Sequence, residues 1–301
     1  MAGARRTIPE PYRTRLAAFR AGLAARKLDG YLVLDRMDQF WLTGFTGEDG
    51  QVLVTPKAVV LLTDGRFDET ADGEAPWARK VVRRRRTPDV TAAEIKRYKL
   101  SRVGYEPDHL VVRLFGELRG ALGAAKLVAA SDAVGPLRAT KDEGEVAAIR
   151  RAVDVAQRAL RKVVTWLRPG LTERQVAARL DFEMQCLGAQ GPAFATIVAS
   201  GPHASRPHHD PGERALAAGE PVLIDWGARV GWYVSDLTRV VWLGSIPPQI
   251  GRLHGVVRAA QQAAIAAIGP GVRTAVVDRA ARKVIEAAGY GPRFTHGLGH
   301  G

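Results

Sequence analysis

The 301-residue sequence predicts an α/β domain followed by an α+β domain. Two observations carry this. Short β-branched runs alternate with helical stretches until a turn cluster at Gly135-Pro136 interrupts the chain. Beyond it, two long amphipathic helices precede a region of strands and turns, and two more helices follow. The domains are expected at 1–136 and 137–301. Hydrophobic residues make up 46% and charged residues 25%, which supports packed cores and argues against wholesale disorder.

Taken in order, Leu16, Phe19 and Leu23 recur at helical spacing, with Gly30 as the stop. Tyr31 to Leu34 reads as a short apolar strand. Gln51 to Thr55 and Ala58 to Thr63 read as a hairpin around Pro56-Lys57. Arg102 to Tyr105 is a further strand, and a helix is expected from about Pro107 to Leu122. Thr140 with Glu143 reads as a capping box opening a helix that runs to Trp166. Thr172 with Gln175 caps a second helix, with Val176, Leu180 and Met184 on one face. Strand patterns fill Phe194 to Leu243, and helices are expected over Pro248 to Ile268 and Thr274 to Ala288.

Composition excludes several classes. One cysteine, Cys186, allows no internal disulfide framework and fits a reducing compartment; within its helical run it reads as a core residue. The start, MAGARRTIPEPYRTR, has no apolar h-region, and no run reaches the roughly 18–20 apolar residues of a membrane span. The expectation is a soluble cytoplasmic protein. The net charge of +13 raises nucleic acid as a partner. The strongest run, Arg83 to Arg86, has no interleaved aromatics and no nucleic-acid motif, so it reads as a solvated basic edge.

Pro221 to Gly227 and Gly231 to Trp242 have the β-branched content of two strands. A hairpin turning at Val230-Gly231 places Asp225 directly opposite Asp236. Opposed Cβ atoms lie roughly 4.5–5.5 Å apart, where like charges destabilise, and apolar neighbours add a burial cost. A divalent cation with oxygen ligands resolves that conflict. The alternative, one aspartate in a turn and the other capping, would put such residues at the tip, whereas these lie in mid-strand. Trp226, Trp232 and Trp242 read as packing around the hairpin.

Six of the seven histidines follow residue 200. Phe294-Thr-His-Gly-Leu-Gly-His-Gly301 sets His296 and His300 four apart, and its glycines suit either a close backbone approach at a site or a polar tail. His203, His208 and His209 share a turn-rich loop, which could hold substrate or simply lie exposed. His254 falls on a helix and reads as structural or exposed. No HExxH is present.

Five stretches in order resemble the Xaa-Pro peptidases, meaning aminopeptidase P and prolidase among the pita-bread metallopeptidases. They are Phe40 to Gly47 with Leu62 to Arg66, Leu137 to Glu145, Ile197 to His208, Leu223 to Gly227 with Ser235 to Arg239, and His296 to Gly301. The resemblance covers nearly the whole chain. It implies a creatinase-like α/β amino-terminal domain and an α+β pita-bread catalytic domain lacking its last strands. It also implies hydrolysis of the bond before proline in peptide substrates, with two divalent ions (manganese, cobalt or zinc), and a homodimer.

By that resemblance, Asp225 binds one metal, Asp236 bridges two and His300 is a further metal ligand. His208 steadies the substrate and the tetrahedral intermediate, and His296 lies near the substrate. Relatives add another histidine and two glutamates after the position of Gly301. With Asp225, Asp236 and His300 alone, at most one weakly held ion is expected, and ordinary catalysis by these residues alone is not. A non-catalytic interaction protein on this fold is the alternative. A metal-free creatinase-like hydrolase fits less well, because both aspartates and the HGLGH motif are retained.

Overall fold

The computed structural model describes residues 7–299, and the chain divides into two compact units, Met1–Lys141 and Asp142–Gly301. His300, expected as a metal ligand, lies outside the described residues.

The first unit runs α1 (Tyr12–Ala25), β1 (Gly30–Val33), α2 (Arg36–Thr43), β2 (Gly50–Val54), β3 (Val59–Thr63), α3 (Asp68–Glu74) and β4 (Arg79–Val82). It continues with α4 (Thr87–Arg97), β5 (Arg102–Tyr105), α5 (Val112–Leu122), β6 (Lys126–Ala129) and α6 (Gly135–Ala139). Six strands form one sheet in the order β4-β3-β2-β1-β5-β6. The central β1, β2 and β3 are antiparallel, while β5, β6 and β4 join in parallel. Both faces are buried, which is why these strands read as unbroken apolar runs rather than alternating ones. Tyr31, Val33, Val52, Val54 and Leu61 pack with Leu16, Phe19 and Leu23 of α1. The alternate residues Leu32, Leu53, Val60 and Leu62 pack with Ile95 of α4 and Leu118 of α5.

Gly135-Pro136, expected as a break, instead opens the short α6, where proline suits a first helical turn. The basic run is partly tied down. Arg83 pairs with Asp49 and Arg86 with Glu117, and the Arg83 side chain is only 9% exposed.

The second unit begins with α7 (Glu143–Trp166) and α8 (Glu173–Cys186). Short strands follow: β7 (Gly191–Pro192), β8 (Ile197–Ser200), β9 (Pro221–Trp226), β10 (Ala228–Val230), β11 (Tyr233–Val234) and β12 (Leu237–Trp242). The helices α9 (Pro248–Ala267) and α10 (Thr274–Ala287) pack on one another through Ala260, Ala264 and Ala281. The capping box of α7 sits two residues later than expected. Asp142 accepts from the Glu145 amide, and Glu145 accepts from the Asp142 amide. The α8 box is the expected Thr172 and Gln175. Cys186 is exposed rather than in the core, because it ends α8 beyond the buried face of Val176, Leu180 and Met184. Among the described residues, no helix is long and apolar enough to cross a membrane.

Candidate active site

Two three-stranded sheets, β8-β9-β12 and β7-β10-β11, meet at Gly227. Along β9 the burial alternates: Val222, Ile224 and Trp226 turn inward against α7 and α8, whereas Leu223 and Asp225 are half-buried on the other face. Period two thus sends the apolar set to the core and Asp225 to the open side.

The register differs from expectation. The turn is Gly231-Trp232, with Val230 opposite Tyr233, and both turn residues have positive φ (57° and 70°). Such a two-residue turn needs left-handed backbone twice, an uncommon conformation for tryptophan. Asp225 consequently faces Thr238, not Asp236, and Asp236 falls opposite Gly227. The slip is two residues. A slip of one would have sent the aspartates to opposite faces, but a slip of two keeps them on one face as diagonal neighbours, roughly 7–8 Å apart. Asp225 is half-buried and Asp236 exposed, so the burial conflict expected for an opposed pair is relieved. Of the three tryptophans, only Trp226 is a core residue; Trp232 and Trp242 are half-buried.

The hairpin is fastened to α7 by three hydrogen bonds. Trp226 Nε1 donates to Ala156 O (3.0 Å), Ser235 Oγ to Ala152 O (3.2 Å) and Tyr233 OH to Glu145 Oε1 (2.9 Å). Ser235 also accepts from the Ala228 amide through Oγ (3.0 Å).

His208 lies exposed in the loop after β8, while its neighbour His209 is buried. His209 Nε2 contacts Glu173 Oε2 at 2.8 Å, and His203 Nδ1 contacts Glu173 Oε1 at 3.0 Å. Burial alone would raise the Glu173 pKa, but donation from His209, Ser200 and His203 outweighs it and holds the carboxyl down to about 2. These three residues form the one cluster among the described residues with metal-ligand character. Glu173 was not foreseen from the sequence, because an acidic residue in a first helical turn reads as a partner of the helix dipole.

The tail carrying His296 is held on α10. Arg282 donates to the carbonyls of Phe294 (3.0 Å) and His296 (3.0 Å), and Asp278 accepts from the Leu298 amide (2.7 Å). The described contacts of His296 are all with α10 and this tail. The structure thus brings Asp225 and Asp236 together on one sheet face and sets His208 in the loop after β8, with His296 on separate support.

Comparison with known proteins places the chain in a family. Residues 147–301 match metallopeptidase family M24, and residues 15–140 match the creatinase/prolidase N-terminal domain. The chain is 31% identical over 274 residues to an uncharacterised peptidase of Bacillus subtilis, covering 91% of this chain and 78% of that protein. It is 33% identical over 231 residues to a putative dipeptidase of the same organism, covering 77% and 61%. Among solved structures it is similar to a Xaa-Pro dipeptidase from Bacillus anthracis, with TM-score 0.92 and 28% identity, covering 96% of this chain and 81% of that one. It is likewise similar to the prolidase from Pyrococcus horikoshii, with TM-score 0.88 and 26% identity, covering 96% and 82%. The chain belongs to metallopeptidase family M24, a member of Xaa-Pro peptidase type with a creatinase-like amino-terminal domain and the pita-bread fold.

Proposed function

We propose that this chain serves hydrolysis of Xaa-Pro bonds, as a dipeptidase or aminopeptidase, with divalent metal at Asp225 and Asp236. The observation that carries the reading is the placing of two carboxylates on one open sheet face at diagonal register. Their donor chemistry fits the group: both offer hard anionic oxygens, which suit manganese, cobalt or zinc. The diagonal offset leaves room for an ion between them. His300 is proposed as a further ligand. A divalent ion so held would lower the pKa of water and polarise a peptide carbonyl.

The chain's own residues supply the rest. His208, exposed on its loop, is proposed to donate a ring N–H to the substrate carbonyl oxygen as negative charge develops there. His296 is proposed to contact the peptide from the tail. Homodimerisation is proposed on the family resemblance and is checked by sedimentation.

Manganese at about 100 times its Kd should stabilise the protein by about 2.7 kcal/mol. Asp225→Asn and Asp236→Asn should each remove nearly all of that gain, read as midpoint shifts in urea. An unaltered manganese response in both variants would sink the metal assignment. Turnover of Ala-Pro against a longer Xaa-Pro-Xaa peptide separates dipeptidase from aminopeptidase.

A further inference from the structure

The loop from Ser200 to Arg214 turns about one carboxylate. Glu173 is fully buried at the first position of α8 and accepts from five donors. Its Oε1 receives the Ser200 amide (2.8 Å), Ser200 Oγ (2.9 Å) and His203 Nδ1 (3.0 Å). Its Oε2 receives His209 Nε2 (2.8 Å) and the Gly212 amide (3.3 Å). The backbone alongside is stitched as well: the Glu173 amide donates to Arg214 O (3.1 Å) and the Arg174 amide to Gly212 O (3.1 Å). The two imidazoles lie 4.3 Å apart, tilted by 40°. Anchors therefore fall on both sides of His208, at positions 203 and 209.

A metal is the first thought for a Glu and two His, and the donor count argues against it. An ionised carboxylate only accepts, so the ring nitrogens facing Glu173 carry protons and offer no lone pair to an ion. Backbone amides, which cannot ligate a cation, also occupy both oxygens. A buried carboxylate satisfied this fully is a structural hub.

We infer that Glu173 is a positioning residue: by holding His209 inward it fixes which of two consecutive histidines is presented, and so orients His208 toward substrate. The inference rests on the reading that His208 serves the peptidase site. Pro207 and His208 form a turn that leaves His208 exposed while the next residue, His209, is buried on Glu173, so holding His209 inward fixes the turn that presents His208. A loss of the anchor costs orientation, where errors near 1 Å can lower rates by about 100-fold.

The test uses the whole chain with manganese. In Glu173→Gln, amide exchange across 201–214 should rise at least about tenfold, and His209 should become open to diethylpyrocarbonate. Ala-Pro turnover should lose about 10- to 100-fold in kcat with KM and manganese affinity little changed. His209→Leu should behave likewise, and it covers the case in which Glu173→Gln fails to fold. His209→Gln keeps an N–H donor at the position of Nε2 and should restore both loop protection and kcat.

Unchanged exchange and unchanged His209 protection in Glu173→Gln and His209→Leu would overturn the inference. So would zinc bound tightly by the Asp225→Asn/Asp236→Asn protein and lost on His209→Leu, since that would make the cluster a metal site. Loop loosening in Glu173→Gln and His209→Leu, where the wild type cleaves no proline peptide, would instead uphold the anchor and count against the peptidase reading.

Discussion

A Cβ built on Gly227 would stand 1.8 Å from the Ser235 carbonyl oxygen and 3.0 Å from the Ala193 side chain. The first contact is with backbone, so no rotamer change relieves it. Gly227 follows Asp225 by two residues and falls opposite Asp236, and its own carbonyl accepts from the Ala193 amide (2.8 Å). Gly227→Ala should therefore push the two aspartate strands apart. The expected cost is about 1–3 kcal/mol of stability, the range for overpacking, measured in urea. Manganese affinity should fall with it, measured by calorimetry. A variant that loses stability yet binds manganese as the wild type does would show that the strand spacing is not what sets the site. At this scale much was legible: Asp225 and Asp236 were both visible in the strand pattern. The pairing partner of Asp225 was not, because it depends on Trp232 adopting a left-handed backbone that its side chain disfavours.

Elements hold the site through α7. Its residues Glu145, Ala152 and Ala156 take up the hydroxyls of Tyr233 and Ser235 and the indole of Trp226, so one helix face fixes three points along the hairpin. The two hydroxyl contacts differ in kind. Tyr233 donates one bond, and the buried Glu145 retains its place in the α7 capping box. Ser235 both donates to Ala152 O and satisfies the buried Ala228 amide. Tyr233→Phe should cost about 0.5–1.5 kcal/mol, the usual net value of one hydrogen bond. Ser235→Ala should cost more, about 1–3 kcal/mol, because it strands a buried amide. Urea titrations of the two variants test the order; a Tyr233→Phe loss exceeding that of Ser235→Ala would refute it. The helices α7 and α8 were readable from period and caps, whereas α2, α3, α4 and α6 were not assigned from the sequence. The Asp142 and Glu145 box was misplaced by two residues because Thr140 to Glu143 offers the same residue types in the same spacing, and only the backbone decides between them.

Glu106 and Glu173 should couple the two units to acid in opposite senses. In the first, Glu106 is 6% exposed and accepts from the amides of Leu34 (2.6 Å) and Asp35 (2.8 Å). Burial pushes its pKa up to about 7 against those donations, with Asp38 and Asp35 adding to the rise. An unfolded glutamate titrates near about 4.3, so between that pH and about 7 the native unit binds the extra proton. Stability of this unit should then fall as pH rises through that window, by on the order of 1–3 kcal/mol. In the second unit the sign reverses. Glu173, held down to about 2, gives stability that is present above the unfolded value and lost as pH falls toward about 2. Neither effect could be read from the sequence, where Glu106 and Glu173 are ordinary acidic residues beside Tyr105 and Thr172. The edge strands β4 and β6 were hidden for a related reason. Each is four residues long and opens with Arg79-Lys80 or Lys126, so charge masks the apolar run, and partner strands create them. Hydrogen-exchange mass spectrometry on the whole chain, corrected for intrinsic rates, can follow both units at once. Protection in residues 30–63 should decline from pH 5 to 7.5, whereas protection in 173–226 should decline only below about pH 4.5. Glu106→Gln mimics the protonated acid and still accepts from both amides, so it should flatten the first decline and leave the second unchanged. An equal decline in residues 30–63 with and without Glu106→Gln would assign that slope to another group.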